Sequence, residues 1–315
     1  MTGILFFKGY HSTLDPELYI LYNHNIKLII VQLERGIFLS SRRLPRVLAI
    51  HDLCVFGRCS LSAVAPVLSA RGVQCCSLPA ALLSAPTNYA DATILVLTKE
   101  VGAILEHLLA VGAEFDAVYS GFLADKTQAA FIEEAFEAFP NALRIVDPVL
   151  GDHGKLYRTM NEGMAEAVRR LAEKAHIITP NVTEAAVLQG LPPGKTPYDE
   201  RDAKKWLATL SYDGSRSTII TGLSFDRHSE IAVGWARQGA SGLFRHARTG
   251  GDFPGTGDLF TAFMLAEILH GAPLSAAAKD AAGFVASCAA FTAGRGTDAR
   301  EGLLFEDILK NKPNR

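Results

Sequence analysis

Short Val- and Ile-rich runs alternate with amphipathic stretches from Arg46 onward, and that order leaves few folds open. The runs are Val47 to Ile50, Val73 to Leu78, Ala117 to Tyr119, Leu143 to Val146, Ile177 to Thr179 and Thr218 to Thr221. Each is short and nearly all apolar, as parallel strands covered on both faces are. Between them, Lys99 to Val111, Lys126 to Phe139, Glu162 to Lys174 and Arg201 to Leu210 place apolar residues three and four apart, the spacing of a helix with one buried face. The pattern predicts a doubly wound α/β fold. Ile231 to Trp235 and Leu243 to His246 read as a late antiparallel hairpin, followed by two Ala-rich helices, Leu259 to Leu269 and Ala276 to Ala293. Neither an internal repeat nor a low-complexity linker interrupts residues 45–315, which read as one domain. Residues 1–44, with several aromatics and a basic end at Arg42 and Arg43, read as an N-terminal extension.

Lys plus Arg number 31 against 33 for Asp plus Glu, so neither sign of charge is in excess to attract nucleic acid or an anionic membrane. A spanning helix needs about 20 apolar residues, and the run Leu28 to Val31 is cut short by Gln32, Glu34 and Arg35. The same run lacks the length and cleavage pattern of a secretory signal, so a cytoplasmic location is expected. The five cysteines, Cys54, Cys59, Cys75, Cys76 and Cys288, contain no CxxC pair and are expected to be reduced thiols.

In a doubly wound sheet, ligands bind beyond the carboxyl ends of the strands. Residues at those ends are Asp52 and Gly57, Thr87, Ser120 and Gly121, Asp147 to Asp152, Thr179 to Glu184, and Thr221 with Gly222. The sharpest local signal is Pro254-Gly255-Thr256-Gly257-Asp258, which opens a helix. Glycines let a backbone approach an anion closely, and the free N–H groups of a first helical turn point at it. Asp258 in that turn could accept the proton of an attacking hydroxyl; the competing interpretation is that Thr256 and Asp258 only cap the helix. Phosphoryl transfer also needs charge compensation, usually by Mg²⁺, which Asp147, Asp152 and Glu184 could hold directly or through water. Asp147 could equally end a strand in a turn with Pro148, and Glu184 could form a capping arrangement with Asn181.

Other motifs fail on inspection. Gly190 to Thr196 imitates a Walker A loop but is one residue short, holds two prolines and follows a helix. No GxGxxG follows the first strand, and the nine histidines show no HExxH spacing. Ser120-Gly121 lacks the glycines of a nucleophile elbow.

The chain resembles the pyridoxal/pyridoxamine kinases of the ribokinase superfamily, in the branch that also holds hydroxymethylpyrimidine kinases. The similar stretches are Ala49 to Ser60 (Ala-Ile-His-Asp-Leu-Cys-Val-Phe-Gly-Arg-Cys-Ser), Tyr119 to Phe122, Asp147 to Tyr157, Thr179 to Glu184 and Pro254 to Asp258. They occur in the family's order within about residues 46–305. The resemblance implies a three-layer α/β/α sandwich with a mostly parallel central sheet, and phosphorylation of a vitamin B6 hydroxymethyl group by ATP. It implies that Asp258 is the catalytic base and that Gly255, Thr256 and Gly257 give N–H groups to the phosphoryl. Asp147, Asn181, Glu184 and Thr221 match positions that handle ATP and its metal, and Tyr157 a flap residue near the phosphates. Asp52 and Thr87 match positions that contact the pyridine ring. Mg²⁺, often K⁺, and a homodimer are further implications. The loop Ser84 to Tyr89 departs from many relatives: no His precedes Thr87, and no glycine pair follows it. A hydroxymethylpyrimidine or sugar kinase of the same fold, and a catalytically silent vitamer-binding protein, are the alternatives.

Overall fold

The computed structural model describes residues 18–23, 26–32, 43–225, 230–249 and 251–310. Residues 1–44 and 45–315 are separate units. In the first, β1 (Leu18–Asn23) and β2 (Ile26–Gln32) pair as an antiparallel hairpin, with Leu18 opposite Gln32.

The second unit is built on nine strands. They are β3 (Arg46–Cys54), β4 (Gln74–Leu83), β5 (Ile94–Val96), β6 (Ala117–Ser120), β7 (Leu143–Val146), β10 (Ile177–Ile178), β11 (Ser217–Leu223), β12 (Glu230–Arg237) and β13 (Ala240–Ala247). Their spatial order is β13-β12-β11-β10-β7-β6-β3-β4-β5. The six from β4 to β11 in that row are parallel; β5 and β12 run opposite to them, and β13 pairs antiparallel with β12. A two-residue pair, β8 (Gly151–Asp152) and β9 (Lys155–Leu156), forms a small flap between β7 and β10 in sequence.

Side chains alternate across a strand, so each strand feeds two cores. Leu48, Ile50, Val118, Val146, Ile178 and Ile220 pack on one face, against α2 (Thr98–Ala110), α3 (Lys126–Ala138), α4 (Glu162–Lys174), α5 (Val182–Leu188) and α6 (Glu200–Leu210). Val47, Ala49, Ala117, Tyr119, Ile145 and Ile219 pack on the other, against α1 (Leu61–Ala70), α7 (Thr256–Leu269), α8 (Leu274–Ala293) and α9 (Glu306–Lys310). This is the three-layer sandwich expected. Asp125, Asn161, Asn181 and Asp199 start their helices by accepting first-turn amides, as side-chain caps do.

Strand order reverses between β3 and β6: the chain passes from β3 to β4 on one side and returns to β6 on the other. The crevice at such a reversal, beyond the carboxyl ends of the strands, is where this architecture binds ligands. No helix among the described residues is long and apolar enough to cross a membrane.

Candidate active site

The site's central contact lies where β3 and β4 fall out of register. His51 pairs with Pro79 and Leu53 with Leu82, so β4 carries one extra residue beside His51. Consecutive residues His51 and Asp52, which in a regular strand would face opposite sides, instead meet: His51 Nδ1 lies 2.7 Å from Asp52 Oδ1. The other ring nitrogen, Nε2, lies 3.0 Å from Asp258 Oδ1. All three side chains are buried. Gly121, at the end of β6, makes room for the ring, because a Cβ there would stand 1.8 Å from His51 Cδ2.

Burial alone would lower the affinity of His51 for a proton. The charge of Asp258, its hydrogen bond, and the hydrogen bond and charge of Asp52 outweigh burial and push the His51 pKa up to about 10. That value makes His51 an imidazolium at neutral pH, with Nε2 toward Asp258 and Nδ1 shared between the Asp52 carboxylate and the Asp52 N–H at 2.9 Å. For Asp258, burial pushes the pKa up, but the His51 charge, the His51 hydrogen bond and the Ser60 N–H hold it below the ordinary carboxylate value. That Ser60 N–H donates to Asp258 Oδ2 at 2.5 Å. Asp258 is thus an ionised carboxylate gripped at both oxygens.

Asp258 occupies the first turn of α7, which begins at Thr256, earlier than Leu259. Gly255 is the residue before the helix, with φ 80° in the left-handed region. A Cβ at Gly255 would stand 2.1 Å from the Arg58 carbonyl oxygen, so the loop before α1 and the start of α7 touch backbone to backbone. No side chain caps α7: the Thr256 hydroxyl donates to the Phe253 carbonyl at 2.7 Å, and the Asp258 carboxylate is engaged by His51 and Ser60. The amides of Thr256, Gly257 and Asp258 precede the first intrahelical bond, from Leu259 N–H to Gly255 O. The first turn of α7 thus keeps its free amides without a side-chain cap.

Asp147, at the end of β7, is also buried, and Gly257 lies against it: a Cβ on Gly257 would be 3.7 Å from Asp147 Oδ2. The Thr261 hydroxyl lies 3.4 Å from the same oxygen and 3.1 Å from the Thr179 hydroxyl. Burial, then the charge of Asp258, pushes the Asp147 pKa up to about 7, against the opposing influence of His51, Thr261 and the Val149 amide. Glu184 is raised well above its ordinary value by burial and by the charge of Asp147, although it accepts the amides of Asn181 at 2.8 Å and Leu150 at 3.0 Å. Asn181 completes the capping box of α5, accepting Glu184 N–H at 3.0 Å, and also donates to Gly151 O at 2.8 Å. Thr221 pairs with Asn181 through a bridge between β11 and the start of α5. The Tyr157 hydroxyl is pushed up by burial and then by the charges of Glu184, Asp152, Asp258 and Asp147, so it belongs to the same acidic environment.

Asp52 meets His51, and Asp147, Gly257 and Asp258 gather around the start of α7. Asn181, Glu184, Thr221 and Tyr157 gather around the start of α5. Asp152 is exposed on the flap and accepts its neighbour's amide, His153 N–H, at 2.7 Å. Thr87 is exposed in a turn closed by Tyr89 N–H to Pro86 O. Among the described residues, no three His, Cys, Asp or Glu side chains cluster as a ready metal site. His51, Ser60, Gly121 and Thr261 enter as residues that motif reasoning left without a role. The adjacency of His51 and Asp52 at a strand's carboxyl end was the available signal.

The sequence model of the phosphomethylpyrimidine kinase family matches residues 66–300. A pyridoxine/pyridoxal/pyridoxamine kinase from Bordetella avium is 31% identical over 277 residues, covering 82% of this chain and 88% of the relative. The chain belongs to the pyridoxal kinase family of the ribokinase superfamily. Members of this family are kinases that transfer a phosphate to a hydroxyl. Among solved structures, a Bacteroides thetaiotaomicron protein assigned as a phosphomethylpyrimidine kinase and solved with pyridoxal superimposes with a TM-score of 0.80. It shares 34% identity and covers 85% of this chain and 95% of its own. Pyridoxal kinase from Lactobacillus plantarum gives a TM-score of 0.78 at 29% identity, covering 85% of this chain and 96% of its own. The fold and the kinase class expected from the motifs are those of the family.

Proposed function

We propose that this protein transfers the γ-phosphoryl group of ATP to the 5′-hydroxymethyl group of pyridoxal, pyridoxamine or pyridoxine. The observation that carries this reading is the ionised Asp258 carboxylate, held by His51 and Ser60 in the first turn of a helix that has no side-chain cap. In the proposed reaction the substrate hydroxyl oxygen attacks phosphorus in line with the departing ADP oxygen. Asp258 receives the hydroxyl proton, and the amides of Gly255, Thr256 and Gly257 face the phosphoryl oxygens. A carboxylate held below its ordinary pKa is a weak base, which suits a loose transition state in which the proton leaves late. No covalent enzyme intermediate is required.

Mg²⁺ fits the donor set: Asp147 and Glu184 are buried carboxylates, the charge of Asp147 raises the Glu184 pKa, and a divalent cation would relieve that repulsion. Asp147 would hold the ion directly or through water. Glu184, whose two oxygens already accept amides, and the exposed Asp152 would act through water. With no three-residue cluster among the described residues, phosphate oxygens and water must complete the shell. When bound, Mg²⁺ supplies positive charge that offsets the phosphoryl oxygens. Asn181, Thr221 and Tyr157 are assigned to the nucleotide side, Asp52 and Thr87 to the vitamer side. K⁺ dependence, a cytoplasmic location and a homodimer belong to the same proposal. For the dimer, edge strand β5 leaves Leu95 and Val96 exposed by 55% and 45%, and sedimentation would test it.

The name of the matching family model supports a hydroxymethylpyrimidine as second substrate class. A panel of pyridoxal, pyridoxamine, pyridoxine, hydroxymethylpyrimidine and ribose, each assayed for ATP-dependent phosphorylation, separates the readings. The B6 vitamers should be phosphorylated, and Asp258→Asn should lower turnover on the order of 10² to 10⁴ with ATP binding largely kept. Product from the pyrimidine or ribose alone, or near-normal turnover by the Asp258→Asn variant, would overturn the assignment.

A further inference from the structure

Between β3 and α1 the chain doubles back, and an antiparallel bridge joins Leu53 to Ser60. Antiparallel pairing steps one residue forward on one segment for each residue back on the other, so this register sets Cys54 opposite Cys59. Directly opposed residues in such a pair have Cα atoms about 4.5 to 5.5 Å apart, inside the range of about 4.4 to 6.8 Å that a disulfide spans. Both cysteines are buried free thiols. The Cys54 thiol also lies 3.2 Å from the Phe56 carbonyl oxygen. Over them, Val55 and Phe56 are exposed by 70% and 51%, so only a short loop separates the pair from solvent.

The loop is coupled to the catalytic carboxylate by its next residue. Ser60 holds φ 54°, a conformation non-glycine residues adopt only when their surroundings enforce it, and its N–H is the one that grips Asp258. The Arg58 oxygen and Cys59 Cα lie 2.1 and 2.8 Å from where a Cβ on Gly255 would be. A covalent tie at Cys59 therefore pulls on both a hydrogen bond to Asp258 and the backbone contact that seats the first turn of α7.

We propose that Cys54 and Cys59 are a reversible thiol–disulfide site that couples peroxide or disulfide oxidants to loss of kinase activity. With hydrogen peroxide, the Cys54 sulfur attacks one oxygen and the other leaves as water once protonated, giving a sulfenic acid. The Cys59 sulfur then attacks the Cys54 sulfur, the S–S bond forms and the hydroxyl departs as a second water. Two electrons and two protons leave the thiols for one peroxide. Cys54 is the attacking sulfur: the neighbouring Cys59 thiol holds it below its ordinary value despite burial, whereas Cys54 and burial push Cys59 up. Its effect on turnover rests on Asp258 being the base; formation of the bond does not.

The test treats full-length protein with hydrogen peroxide, then with dithiothreitol, following peptide masses and ATP-dependent pyridoxal phosphorylation together. A Cys54–Cys59 crosslinked peptide, two hydrogens lighter than its reduced form, should appear. Turnover should fall at least tenfold in step with it and return on reduction. Cys59→Ser should make turnover insensitive to the same dose, whereas Cys75→Ser should not. Peroxide chemistry at Cys75 or Cys76 without the 54–59 crosslink would overturn the site. A complete crosslink with unchanged turnover would overturn its coupling to Asp258.

Discussion

Replacing His51 by Gln removes a positive charge from beside Asp258 while leaving a neutral N–H donor of similar reach. Two unit charges 3.0 Å apart attract by about 5.5 kcal/mol at an effective dielectric constant of about 20. Burial of the pair offsets part of this, and an adjacent opposite charge typically shifts a carboxylate by about 1 to 3 pKa units. In the His51→Gln variant the acidic limb of the kcat/KM profile should therefore move up by about 1 to 3 pH units. His51 also opposes the rise of Asp147, so losing it moves both carboxylates in the same direction. At pH 8, where Asp258 is ionised in either protein, turnover should fall only modestly. Toward pH 5 it should fall progressively further below the parent than at pH 8. The assay is pyridoxal phosphorylation with saturating ATP across pH 5 to 9. A variant whose acidic limb coincides with the parent's, whatever its absolute rate, would refute the claim that the His51 charge keeps Asp258 ionised.

Four further outcomes follow from the same contacts. Gly121→Ala drives a methyl to 1.8 Å from the His51 ring; urea unfolding should show a loss of about 3 kcal/mol or more, with the activity. Gly255→Ala meets both a left-handed φ of 80° and the Arg58 carbonyl, and should abolish turnover even where circular dichroism reports a folded chain. Folding raises the His51 pKa from 6.5 to about 10, so its stabilisation is complete below pH 6.5 and is lost as pH rises toward 10. The urea-derived unfolding free energy should fall across that window by up to roughly 1.4 kcal/mol per pH unit, and His51→Gln should flatten the slope. A chain beginning at Leu44 should fold and phosphorylate pyridoxal as the full chain does, since residues 1–44 form a separate unit; insoluble or inactive protein would contradict this.

Strands β3, β6, β7 and β11 are legible because burial on both faces demands unbroken apolar runs. The site is legible where backbone chemistry demands particular residues: Gly255 must be glycine for its φ and its approach to Arg58, and the carboxylates after β7 and β10 fall on the edge where the strands end. Edge strand β5 is not legible, since three residues paired on one side carry no periodicity. Neither is α1, where Pro66 interrupts the helical pattern. The hardest case is His51. Its partner Asp258 lies 207 positions away, and the pair His51–Asp52 sits beside a register slip in which β4 carries one extra residue. A slip of that kind leaves no trace in hydrophobic period, because it is a relation between two strands rather than a property of one. Asp52, which its place in the motif puts on the vitamer side, also meets His51, which in turn meets Asp258. An acidic residue at this position makes sense if the vitamer pocket and the charge state of Asp258 are linked through one imidazolium. Asp52→Asn should therefore shift the acidic limb in the same direction as His51→Gln but by less, because it weakens the charge on His51 without removing it.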